Sequence, residues 1–260
     1  MLLSRLLIII VDTKLQIIKK KFKIETMNIH ISSSFDGGNI EVINSDKAAN
    51  IQLNIRKDSN SDFLQWFYFS LTGAKDQACK LHLMNAGEAA YPEGWENYNV
   101  RASYDRELWF QIPTSYKEGI LSFEITPDYD SVYFAYFAPF SYEQHLDLIN
   151  SAKQSPLCSL EIIGQTTQGR PIEFLNIGDE ERTKKKLWII ARQHPGETMA
   201  EWFMVGLIGR ILDDEDPVSL SLLEKANLYM VPNMNVDGGI LGNLRTNAKG
   251  VNLNREWQEP

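Results

Sequence analysis

Two side chains three positions apart, His194 and Glu197, are of the types that can share one metal ion. They lie in His194-Pro195-Gly196-Glu197, where Pro195-Gly196 makes a bend and leaves both side chains on one side of a turn. An imidazole nitrogen and a carboxylate oxygen are ordinary zinc donors, and two donors from one rigid turn lose little entropy on capture. Alone, the pair is a weak signal, since four histidines and ordinary glutamate usage produce one His-x-x-Glu readily. Asn254 and Arg255 close the segment Gly250-Val251-Asn252-Leu253-Asn254-Arg255. An amide beside a planar guanidinium suits a carboxylate gripped through both oxygens. Arg245, nearby in the chain, can direct its charge at a carbonyl oxygen that becomes an oxyanion. Taken singly, either arginine reads more simply as a surface residue of a polar loop.

These residues need a scaffold, and the second half of the chain supplies one. Residues 142–153 have helical spacing, and residues 157–164 and 171–177 form two strand candidates around a turn at 166–170. A buried strand over 187–191 delivers His194. The helix after Glu197 carries Ala200, Phe203, Met204, Leu207, Ile208 and Ile211 on one face, and its N-terminus favours an ionised Glu197. Asp216 and Pro217 read as an N-cap and first helical position. A further strand spans 227–232, and a long irregular segment rich in Asn and Gly then carries Arg245, Asn254 and Arg255. Strands alternating with helices predict an α/β sheet with its ligands at the strand ends.

Residues 27 to about 140 follow a different period. Short alternating runs at 28–32, 39–44, 50–56, 65–72, 108–112, 120–125 and 131–137 are separated by turn formers such as Asp36-Gly37-Gly38 and Tyr116-Lys117-Glu118-Gly119. That pattern predicts a β-sandwich. Trp66-Phe67-Tyr68-Phe69 and Tyr133-Phe134-Ala135-Tyr136-Phe137 could form a stacking platform, but alternation turns half of each inward and favours core packing. The period changes after Pro139, which divides the chain into 27–140 and 141–260.

At 260 residues and 43% hydrophobic content there is material for one large core or two ordinary ones. Against 34 acidic residues the 26 basic ones are scattered, giving net charge −8 and no phosphate-binding stripe, so nucleic acid is not an expected partner. Cys79 and Cys158 are too few and too far apart for a disulfide framework and fit a reducing, cytoplasmic setting. In residues 1–26 an apolar run from Leu6 to Val11 precedes a lysine-rich tract. Spanning a bilayer takes about 20 apolar residues, so a membrane role is not expected. We expect these residues to be a tail or an upstream artefact, with Met27 the true start.

Together the motifs resemble the zinc carboxypeptidase family, in its cytosolic carboxypeptidase branch. Phe35-Asp36-Gly37-Gly38-Asn39-Ile40 and the two aromatic sets resemble that branch's N-terminal domain, and His194-Pro195-Gly196-Glu197 its zinc motif. Gly242-Asn243-Leu244-Arg245 through Asn254-Arg255 is similar to its substrate-binding segment. The resemblance implies a β-sandwich N-terminal domain followed by the first half of an α/β, mixed-sheet zinc carboxypeptidase domain. It implies zinc on His194 and Glu197, an oxyanion met by Arg245, and peptide or protein C-terminal tails held by Asn254 and Arg255. Val236 and Asn252 depart from the family's usual Pro and Asp, and neither change is expected to touch a named ligand. The second zinc histidine, the selecting pocket, a substrate-contacting tyrosine and the general-base glutamate of the family would fall after residue 260. His30, His82 and His145 are poor substitutes, each reading as a surface or capping residue. The chain is therefore expected to be an inactive fragment of a metallocarboxypeptidase. Two alternatives stay open. An aspartoacylase-like zinc deacylase resembles the His-x-x-Glu and Leu-Asn-Arg elements but not the sandwich or Asn235-Val236-Asp237-Gly238. A non-catalytic pseudoenzyme would recognise C-terminal tails through its sandwich and arginine clamp without cutting them.

Overall fold

The computed structural model describes residues 29–179 and 184–258, and the expectations for residues 1–26 lie outside them. Alternation builds two sheets from the first half. Strands β1 (His30–Ser32), β4 (Tyr68–Thr72), β10 (Ser131–Ala135), β6 (Val100–Ser103) and β7 (Phe110–Ile112) pair in that order, antiparallel throughout. The second sheet runs β2 (Glu41–Asn44), β3 (Ile51–Asn54), β5 (Cys79–Leu83), β9 (Ile120–Ile125) and β8 (Thr114–Lys117), with β3 and β5 parallel. Leu53, Phe69, Leu81, Leu83, Phe123 and Phe134 belong to the core cluster of this half and are almost fully buried. Each side chain of that size contributes about 1.5–3 kcal/mol on full burial. The aromatic sets serve packing, since Trp66, Phe67, Tyr68 and Tyr136 are buried as well. Strand β8 takes Tyr116 and Lys117 out of the expected turn. The reversal is made by Glu118 and Gly119 alone, with φ of 51° and 81°, the two left-handed residues that a tight hairpin requires.

In the second half β11 (Cys158–Gln165) and β12 (Pro171–Ile177) form the expected hairpin. β14 (Ala226–Val231) runs antiparallel to β12, and β13 (Lys185–Ile190) runs parallel to β14, giving the mixed order β11-β12-β14-β13. Helices α1 (Tyr142–Ala152), α2 (Met199–Ile211) and α3 (Pro217–Leu223) contribute Leu148, Ile149, Met204, Ile208 and Leu223 to a core with Leu175, Leu228 and Met230 of the sheet. Local sequence sets their ends. Ser141 and Gln144 make a capping box at α1, and Asp216 accepts from the Val218 N–H ahead of α3, with Pro217 at its first position.

Three expectations need correction. Among the described residues β13 lies at the end of the strand order and is largely exposed, Trp188 at 63%, where a buried strand is expected; an uninterrupted apolar run reads the same at an edge as inside a sheet. On α2, Phe203 points to solvent and the buried place goes to Glu201, because a charge there has partners that no periodicity reveals. After β14 the chain is not wholly irregular, since Asn235 caps a short helix α4 (Val236–Leu241). Gly242 closes α4 at φ 73°, and a Cβ there would lie 2.7 Å from the Gly38 carbonyl oxygen of the sandwich.

Candidate active site

The site begins where β13 ends. Arg192 adopts φ 49°, uncommon for a residue with a side chain. Its guanidinium donates through Nε to the Pro195 carbonyl at 3.0 Å, and through Nη1 to the Phe140 carbonyl at 2.8 Å and Glu201 at 2.5 Å. Asn235 Nδ2 donates to the Gln193 carbonyl at 3.1 Å. The Gly196 N–H donates to the Leu244 carbonyl at 2.9 Å. A Cβ at residue 196 would sit 2.9 Å from that oxygen, so glycine lets the two loops meet. The turn bearing His194 and Glu197 is thus held at Gln193, Pro195 and Gly196.

On this turn His194 Nδ1 and Glu197 Oε1 are 3.0 Å apart, and His194 Nε2 is 3.2 Å from Asn252 Oδ1. Asn252 Oδ1 also accepts from the Asn254 N–H at 3.2 Å, which identifies it as the acceptor. Nε2 therefore carries a proton, as metal-bound histidines commonly arrange through their second nitrogen. That leaves Nδ1 facing a carboxylate oxygen, an arrangement that needs either a second ring proton or a shared cation. The donor spacing suits a tetrahedral zinc, whose ligand atoms lie about 3.3 Å apart when bonds are about 2.0–2.1 Å. The donor pair fits the metal. Among the described residues no cluster of three His, Cys, Asp or Glu side chains is placed to bind one. Asn252 corrects the expectation that its change touches no ligand, because its amide contacts the ring of His194.

The other candidate residues stand nearby. Leu244, which contacts Gly196, precedes Arg245, whose guanidinium lies 5.5 Å from the centroid of the Phe63 ring. Asn252, which contacts His194, opens the 3-10 turn Leu253–Arg255 that carries Asn254 and Arg255. Both of those are exposed, and Arg255 Nη1 donates to the Asn254 carbonyl at 2.9 Å. Asp237 pins α4 to the β11–β12 turn, accepting from Thr166 Oγ1, Thr167 Oγ1, the Gln168 N–H and Arg170 Nη1. Burial works to raise its carboxyl, but those donors outweigh burial and hold it below the ordinary value.

Behind the turn lies a buried charge cluster that sequence reasoning missed. His145 is 1% exposed, with Nδ1 at 2.8 Å from Glu201 and Nε2 at 3.2 Å from Glu173. It is neither a surface nor a capping residue. Glu201 is shared with Arg192 and Asn233 Nδ2, so two cations face two carboxylates. Burial lowers the affinity of His145 for its proton, yet the two carboxylates outweigh burial and hold the pKa up at about 9. A glutamate on the apolar face of α2 is the one signal in the chain that could have disclosed this.

Comparison with known proteins agrees with this architecture. Residues 31–137 match the cytosolic carboxypeptidase N-terminal domain, and residues 142–260 match zinc carboxypeptidase. An uncharacterized protein of Zymomonas mobilis is 48% identical over 234 residues, covering 90% of this chain and 60% of that protein. Cytosolic carboxypeptidase 1 of Mus musculus is 28% identical over 277 residues, covering 89% of this chain and 23% of its own. A metallo-carboxypeptidase from Pseudomonas aeruginosa, solved in complex with (2-guanidinoethylmercapto)succinic acid, aligns at TM-score 0.86 and 46% identity, covering 89% of this chain and 62% of that one. The chain therefore spans less than two thirds of the length of these relatives. With both domain matches in sequence along one polypeptide, the chain belongs to the zinc carboxypeptidase family, in the branch whose zinc domain follows a cytosolic carboxypeptidase N-terminal domain.

Proposed function

We propose that the protein is a cytoplasmic, zinc-dependent metallocarboxypeptidase that hydrolyses the C-terminal residue of peptides or proteins. The observation that carries this reading is the His194–Glu197 donor pair, with Asn252 fixing the histidine tautomer. His194 Nδ1 and Glu197 Oε1 would hold the metal, which when bound polarises a carbonyl and lowers the pKa of coordinated water. Arg245 presents a fixed positive charge to the scissile carbonyl oxygen as negative charge develops there. Asn254 and Arg255 grip the terminal carboxylate through paired donors, which restricts cleavage to chain ends. The dicarboxylic ligand in the Pseudomonas relative is consistent with such an anion grip. Buried, unpaired Cys79 and Cys158 are compatible with a reducing compartment.

The test is to supply zinc to the protein and present a ladder of peptide acids, the matching amides, and an acylated amino acid. Chelator-sensitive shortening of the acids alone supports the peptidase. Turnover of the acylated amino acid would favour a deacylase, and binding of acids without turnover would favour a recognition protein.

A further inference from the structure

One carboxylate of the sandwich reaches into the candidate site. Asp58 is 4% exposed, and among the described residues no cation lies within ion-pair distance of it. Instead Oδ1 accepts the Leu244 N–H at 2.5 Å, and Oδ2 accepts the Arg245 N–H at 2.7 Å, the Thr246 N–H at 2.9 Å and Thr246 Oγ1 at 3.1 Å. Three consecutive backbone donors on one ionised acceptor define the backbone through Arg245 far more tightly than neutral turn bonds do. The neighbouring residues add to this. Ser59 donates its N–H and its Oγ to Asn243 Oδ1, and Asn60 Nδ2 donates to the Ala248 carbonyl. Phe63 lies under the Arg245 guanidinium. The connection runs onward, because Leu244, whose N–H is held by Asp58, accepts through its carbonyl from Gly196 in the metal turn.

We propose that residues 58–63 of the sandwich position the Arg245 arm and couple it to the His194–Glu197 turn, with Asp58 the principal positioning residue and Phe63 the shelf for the guanidinium. The sandwich is thereby part of the site rather than an appended module. An ordinary packing contact would be apolar and would leave backbone amides to local turns; here a buried charge is committed to the loop nearly two hundred positions downstream. The catalytic consequence rests on the peptidase reading, whereas the positioning does not.

Asp58→Asn tests it selectively, since the amide keeps one acceptor and turns an N–H₂ toward a donor, most simply that of Leu244. Hydrogen exchange is followed by mass spectrometry in peptides covering residues 243–247 and 194–198, with residues 67–71 of β4 as the folding control. Exchange should accelerate about tenfold or more at 243–247, and measurably at 194–198, with β4 unchanged. Steady-state kinetics on a peptide acid should show kcat down about tenfold or more at nearly constant KM. Phe63→Leu, at a partly exposed position that should fold in any case, should lower kcat a few fold without accelerating exchange at 243–247. Unaltered exchange at 243–247 in Asp58→Asn would overturn the positioning role whatever the kinetics. Accelerated exchange with kcat unchanged would overturn the coupling to chemistry. Absence of turnover in the parent protein would count against the peptidase reading, and exchange would still decide the positioning.

Discussion

At His194 one ring nitrogen faces Glu197 and the other faces Asn252, so a proton held at the second leaves the first free to act as a donor atom. Replacing Asn252 with Ala frees the ring to take either tautomer, and zinc affinity should fall about 10–100-fold, measured by competition with a chromophoric chelator. Asn252→Asp should hold the proton at Nε2 more firmly and preserve or raise affinity; a fall in that variant would refute the tautomer argument. Arg255→Ala should weaken peptide acids by about 1.5–3 kcal/mol, the range for a lost charged hydrogen bond, while amides are scarcely affected. Equal losses for acids and amides would remove Arg255 from the clamp. If Arg245 meets charge that exists only in the transition state, Arg245→Ala should lower kcat about a hundredfold or more with little change in KM. A change confined to KM would reassign it to substrate binding.

Among the elements, the cluster of His145, Glu173, Glu201 and Arg192 joins α1, β12, α2 and the exit of β13, with Tyr142 stacked on the imidazole. Because the folded pKa of His145 is raised from 6.5 to about 9, its stabilising effect is fully present below pH 6.5 and is lost as pH rises through about 9. Urea unfolding should thus show stability falling between pH 7 and 10, by up to about 3 kcal/mol. His145→Gln should be less stable at pH 7 and should flatten that decline; a parallel decline in the variant would assign the pH dependence to other groups. The cluster also shows what the sequence could disclose. Local pattern located the hairpin, helices α1 to α3 and the turn that carries His194 and Glu197, because those features depend on residues close in the chain. It placed Phe203 in the core, and His145 read as a surface or capping residue, because whether a helix position can take a charge depends on carboxylates and guanidinia from distant elements. Asp58 was equally invisible, since its four donors come from residues 244–246. Motif resemblance singled out His194 and Glu197 as a local pair, and only the assembled loops reveal what holds them.

For the molecule as a whole, the contrast between the two halves predicts different behaviour in isolation. The sandwich encloses Leu53, Phe69, Leu81, Phe123 and Phe134 between its own sheets. The second half covers one face of its sheet with helices, and among the described residues β13 pairs with β14 alone. Trp188 and Ile190 are exposed along that edge, as are Ile162 and Ile163 on β11 and Trp202, Phe203 and Val205 on α2. Edge backbone groups next to apolar side chains invite strand addition and aggregation. A polypeptide limited to residues 27–260 should therefore self-associate with increasing concentration in light scattering, and Trp188→Lys should reduce that association by placing charge on the edge. Residues 27–140 alone should remain monomeric and cooperatively folded, because their apolar faces are already paired with each other. A 27–260 polypeptide that stays monodisperse as its concentration rises would refute this account, and would require the cover of β13 to come from within those residues.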